Sequence, residues 1–78
     1  MQTSGQIAKL EESVKVYEEV IRSFEAANDH LRRRRHGALD AVMVEIDRSL
    51  ELNQRTLDSL NRVVATVKAQ LEQERARS

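Results

Sequence analysis

Leu31-Arg32-Arg33-Arg34-Arg35-His36-Gly37-Ala38-Leu39 parts two long apolar rhythms, and the reading of this stretch decides the architecture. Before it, Ile7, Leu10, Val14, Tyr17, Ile21, Phe24 and Leu31 recur at heptad spacing. After it come Leu39, Met43, Ile46, Leu50, Leu57, Leu60, Val64, Val67 and Leu71. Steps of three and four residues put each set on one stripe of a helix, to be buried against another helix. Leu31 and Leu39 are eight residues apart, so the two stripes are out of phase by one. A turn at that point accounts for the slip. Gly37 can take the left-handed conformation that ends many helices, and the four arginines suit the negative end of a helix dipole.

The predicted fold is therefore all-α: an antiparallel helical hairpin with coiled-coil-like heptad packing, completed by self-association or by a partner into a helical bundle. The predicted domain is single and covers residues 1–78. Helix one spans about residues 4–35, the turn 36–38 and helix two about 39–74, with a frayed tail at 75–78. Thr3-Ser4-Gly5-Gln6 fits a reciprocal capping box at the first helix start, weakened by Gly5. The second start has only Asp40 to offer. The rival arrangement is one continuous helix with a skipped residue at Gly37, since a lone glycine costs a helix only about 1 kcal/mol.

Composition agrees with a helical hairpin. Of the 78 residues, 33% are charged and 3% aromatic, with no proline and no cysteine. Such a chain has neither a disulfide framework nor a thiolate metal site, which points to a reducing, intracellular setting, cytoplasmic with nuclear as the variant. Ala41-Val42-Met43-Val44 is the longest apolar run, far below the ~20 residues that span a bilayer. Residues 1–6 show no secretory signal. The net charge is zero but uneven: an acidic first arm, the basic knot Arg32, Arg33, Arg34 and Arg35, and a nearly neutral second arm.

With Ile7 and Met43 at heptad position a, the g positions are Ser13, Val20 and Ala27, then Val42, Ser49, Thr56 and Val63. The e positions are Glu11, Glu18 and Glu25, then Asp47, Gln54 and Asn61. A parallel two-stranded coil carries charge on both flanks. Here one flank is stripped of it, and the apolar stripe is wide enough for each helix to touch two neighbours. Folding back tightly at Gly37 pairs Leu31 with Leu39, Phe24 with Ile46, Ile21 with Leu50, Val14 with Leu57, Leu10 with Leu60 and Ile7 with Val64. It sets Asn53 opposite Tyr17 and Asn28 opposite Met43. Val67 and Leu71 then overhang, as a docking strip or as the seat of a symmetric partner.

No catalytic constellation is present: the serines near histidine form no nucleophile motif, and there is no glycine-rich phosphate loop. His30 and His36 are six apart, not the one-turn spacing of two ligands on a helix face. No enzyme activity, cofactor, metal or small-molecule substrate is expected. Asn28 and Asn53 interrupt the stripe and read either as register-specifying amides or as amides that reach solvent. The arginine knot reads either as a solvated helix end or as a site for nucleic acid, anionic lipid or an acidic protein surface. The expected function is a protein–protein interaction module, a small structural or adaptor subunit whose heptad stripe meets a homo-oligomeric (dimeric) or other helical partner. The alternative is an anion binder acting through Arg32–Arg35.

Overall fold

A computed structural model describes residues 2–77, with side chains from residue 5 onward. Two helices, α1 (Gln2–Arg35) and α2 (Asp40–Arg77), pack along each other as an antiparallel hairpin. The longest dimension is 59 Å, whereas a continuous helix of this length would approach ~115 Å at 1.5 Å per residue. The hairpin reading holds, and the single helix is excluded.

Local chemistry makes the turn. α1 closes with Arg32–Arg35 in its last turn, where cations oppose the C-terminal end of the dipole. The Ala38 amide donates to the Arg35 carbonyl at 3.2 Å, and Gly37 sits at φ 73°, a region that glycine enters without a Cβ penalty. The carbonyl of Leu39 accepts the Met43 amide at 2.9 Å, so Leu39 caps α2 through its backbone and Asp40 opens the first turn. The turn thus takes in Leu39 as well as residues 36–38. At the other end α2 stays helical to Arg77, beyond the residue-74 limit read from the sequence. The proposed Thr3 capping box lies outside the described side chains.

The core follows the heptad stripes. Ile46, Leu57, Val64 and Leu71 are buried, and Ile7, Leu10, Val14, Tyr17, Ile21, Phe24, Leu31, Met43, Leu50, Leu60 and Val67 are half-buried. Leu39 is the exception. It is 78% exposed and closes no core layer with Leu31, because it belongs to the turn.

The register differs from the tight fold-back. Asn53 Nδ2 donates to Asn28 Oδ1 at 2.8 Å, so Asn53 faces Asn28 and not Tyr17, and Asn28 does not face Met43. Moving Asn28's partner from 43 to 53 slides α2 by ten residues, roughly 15 Å. Counting outward by heptad steps from that pair sets Leu31 level with Leu50, Phe24 with Leu57, Ile21 with Leu60, Tyr17 with Val64, Val14 with Val67 and Leu10 with Leu71. Open grooves agree, one lined by both Ile21 and Leu57, another by both Leu10 and Glu74. The expected pairs Phe24–Ile46, Ile21–Leu50, Val14–Leu57, Leu10–Leu60 and Ile7–Val64 are replaced.

The physical reason is satisfaction of polar groups. Asn28 is only 2% exposed, and the tight register left its amide facing a thioether. An unpaired buried amide costs about 1–3 kcal/mol, and the slide removes that cost from Asn28. It also gives Val67 and Leu71 facing residues on α1, so they no longer overhang. In exchange the first turns of α2 run past the end of α1, which leaves Val42 and Val44 exposed along with Leu39.

Two predictions follow from these positions. Gly37→Ala should destabilise the hairpin by about 1–2 kcal/mol through left-handed backbone strain alone, since a Cβ there meets nothing within 4 Å. Gly5→Ala, in open space on a helix, should stabilise by up to about 1 kcal/mol, so chemical melts of the two variants should move in opposite directions. Asn28→Ala should cost about 1–3 kcal/mol by stranding Asn53, whereas Asn28→Leu with Asn53→Leu should melt no lower than the parent. In that double variant, spin labels on opposite helices should report more than one register; a single unchanged distance would deny the asparagines their role.

Candidate assembly interface

The seam between α1 and α2 is flanked by two unlike faces, one for each heptad flank. On the e flank, Arg75 Nη2 lies 3.4 Å from Glu11 Oε2 and Lys68 Nζ 3.7 Å from Glu18 Oε2. Further along, Glu25 and Arg32 of α1 share a polar groove with Gln54 and Asn61 of α2. Each exposed pair is worth at most ~1 kcal/mol, so this ladder reinforces the register without imposing it. Its polar groups find partners or water without a second molecule.

The opposite flank is different. Grooves there are lined by Ser23, Phe24, Ala27 and Asn53, and nearer the termini by Gln6, Lys9, Gln70 and Gln73, so the g and c columns of both helices share one face. Between Lys9 and His30 on α1 these columns read Ser13, Val16, Val20, Ser23 and Ala27. Between Glu45 and Arg77 on α2 they read Ser49, Leu52, Thr56, Ser59, Val63, Thr66, Gln70 and Gln73. No charge interrupts either run, in a chain one-third charged. Val16 and Leu52 are 47% and 55% exposed, and Val20, Val42 and Val63 are also exposed. The hydroxyls of Ser23, Thr56 and Thr66 donate to carbonyls one turn back, Glu19, Leu52 and Arg62, at 3.0–3.2 Å. Bonded to their own helix, they present methyl and methylene surface and do not require water.

Reading the g column alone found Val20, Ala27, Val42 and Val63 but missed Val16 and Leu52. Their signal was available: in both helices the central c positions lack charge.

At the turn, the arginines are dispersed by helical geometry and largely matched. Arg35 forms a two-pronged bond to Asp47, Nε to Oδ1 at 2.7 Å and Nη2 to Oδ2 at 3.1 Å. Arg32 Nη1 donates to Asp29 Oδ1 at 3.1 Å, and Arg33 Nε to the Asp29 carbonyl at 3.4 Å. Arg34 has no such partner among the described residues. The hydrogen bonds and charge of Arg35 hold the Asp47 carboxyl below its usual range, and Asp47 reciprocally raises Arg35. His30 and His36 are exposed, and among the described residues no cluster of His, Asp and Glu is placed to hold a metal. No described helix is long and apolar enough to cross a membrane. No family model, curated protein or solved structure matches this chain.

Because the folded Asp47 pKa is depressed, its stabilisation is present above the unfolded carboxylate range and is lost as pH falls through the folded value. Asp47→Asn should therefore lower the melting temperature at neutral pH and converge with the parent as the pH falls through the carboxylate range. An equal difference at pH 7 and pH 2 would count against the Arg35–Asp47 bond. Raised Arg35 contributes across the same range and titrates only at extreme alkaline pH.

Proposed function

We propose that this chain is a non-enzymatic protein–protein interaction module, a small structural or adaptor subunit that completes a helical bundle. The observation that carries this reading is the uncharged g and c face, exposed along the hairpin beside a seam already filled from within. Heptad chemistry explains why such a face serves association. Its apolar side chains lose water favourably at about 25 cal/mol per Å² removed, and the hydroxyls of Ser23, Thr56 and Thr66, bonded to their own helix, add little desolvation cost. The charged e flank, satisfied inside the hairpin, faces away from the contact and keeps the outer surface soluble.

The second reading, an anion binder acting through the turn, is favoured only by Arg34 and by the exposure of the knot. Asp29 and Asp47 engage three of the four arginines by side chain or backbone, which reduces the field available to a phosphate. Dedicated nucleic-acid binders present a broad basic face with aromatics for stacking, and this chain is neutral with one Tyr and one Phe.

Two variants separate the readings. Leu52→Glu with Val63→Glu charges the open face at exposed positions, and Arg33→Gln with Arg34→Gln strips the turn without breaking the Arg35–Asp47 bond. Tagged chain expressed in its own cells should lose its associated protein, other copies included, with the first variant and retain it with the second. The reverse pattern, joined to micromolar oligonucleotide or anionic-vesicle binding that falls steeply with salt, would replace the module reading with the anion reading.

A further inference from the structure

Resting on the module reading of the same face, we infer that its occupant is a second copy of this chain, packed with its turn at the opposite end, so that two hairpins form an antiparallel four-helix bundle. The size of the face fits this occupant. A compact 9.0 kDa chain exposes about 4,850 Å², and this one exposes 5996 Å², an excess of roughly 1,100 Å². A hairpin that extends 59 by 15 Å has room along one side for the ~800 Å² that each partner contributes to a standard interface. The hairpin itself is the complementary shape: an equally long, uncharged face whose small side chains (Ser23, Ala27, Ser59) leave room for the valines and leucine of the other.

Charge sets the direction. With turns at the same end, the two copies of Arg34, the g-position arginine that has no side-chain partner among the described residues, would be brought to one end of the contact, a like-charge approach that disfavours that pairing. Turns at opposite ends separate them by the length of the bundle. A two-fold through the middle of the hairpin then reverses the outer f column of α1, which reads Glu12, Glu19, Ala26, Arg33. Arg33 comes level with the other copy's Glu12. Exposed Val42 makes the same choice. It lies where α2 runs past the end of α1, since Arg35 reaches Asp47 two turns into α2. Only the opposite-turn arrangement lays another helix, the last turns of the other copy's α2, over that overhang.

Sedimentation equilibrium of the full chain from about 5 to 200 µM tests the occupant directly. The expected result is a mass of twice 9.0 kDa, with a melting temperature that rises with concentration. Val20→Glu with Val63→Glu should weaken the dimer at least about 100-fold, as buried like charges do. Should that variant lose its helical circular dichroism, Leu52→Glu, at a position more than half exposed in the hairpin, supplies the comparison, and the parent's mass needs no variant. The chain has no cysteine, so His36→Cys carries a single spin label. Two labels should lie about 40 Å apart with turns at opposite ends, against under about 20 Å with turns together. A 9.0 kDa mass throughout would overturn the second-copy inference and leave the module reading to its own capture test. A dimer indifferent to both face variants, or a short label distance, would overturn it as well.

Discussion

The side-chain hydrogen bond from Asn53 to Asn28 is the constraint on which the hairpin's other geometry depends. Leucine, isoleucine and valine can trade places along a heptad seam at little cost, because dispersion and water release have no direction. An amide has direction. Two asparagines in an otherwise apolar stripe leave one slide in which each supplies what the other lacks, and the difference between that slide and its neighbours is of the order of the 1–3 kcal/mol of an unpaired buried polar group. Exposed ion pairs, at under ~1 kcal/mol each, reinforce a register they are too weak to impose. Arg75–Glu11, Lys68–Glu18 and Arg35–Asp47 all agree with the slide that the asparagines select.

From that register the two faces acquire different needs. The e flank brings acids of α1 against bases and amides of α2, and its chemistry is closed within one chain. The g and c flank brings valine, alanine, serine and threonine alongside leucine and valine, and its chemistry is left open. Nothing in helix formation requires this difference; outward-facing positions accept lysine or glutamate readily, as the b and f columns do here with Lys15, Glu19, Arg55 and Asp58. The hydroxyls of Ser23, Thr56 and Thr66, folded back on carbonyls of their own helices, go further, because they lessen the demand for water on that side.

The seam residues, the turn at Gly37 and the contrast between e and g flanks were legible in the sequence, since each is a property of local spacing. Register was not, because a heptad repeat maps onto itself when slid by whole steps. A tight fold-back looked best for Ile7 through Leu31 taken together, yet it left Asn28 against Met43 and stranded Leu71. Asking which slide joins the two asparagines would have found the observed one. Leu39 carried the right spacing for the stripe but sits where the backbone must start α2, and the capping duty at its carbonyl overrides its hydrophobicity. Val16 and Leu52 escaped notice because the c column is ordinarily solvent, so its lack of charge carries meaning only beside an equally uncharged g column.

A two-helix hairpin has one seam, and a chain this small gains only ~3–5 kcal/mol from a single core even when compact. Four buried apolar residues are few to hold 76 described residues in order against backbone entropy of ~1–2 kcal/mol each. Any association would thereby be linked to folding: whatever binds the folded hairpin and not the unfolded chain adds its binding free energy to stability. Covering the uncharged face would strengthen that linkage, and the asparagine pair would keep it specific. Without the pair, a second helical surface could drag α2 into a neighbouring register and still bury leucine against leucine. With it, the uncharged columns of α1 and α2 are held at fixed height before any partner arrives, so the face is preorganised and its ordering cost is met within the hairpin.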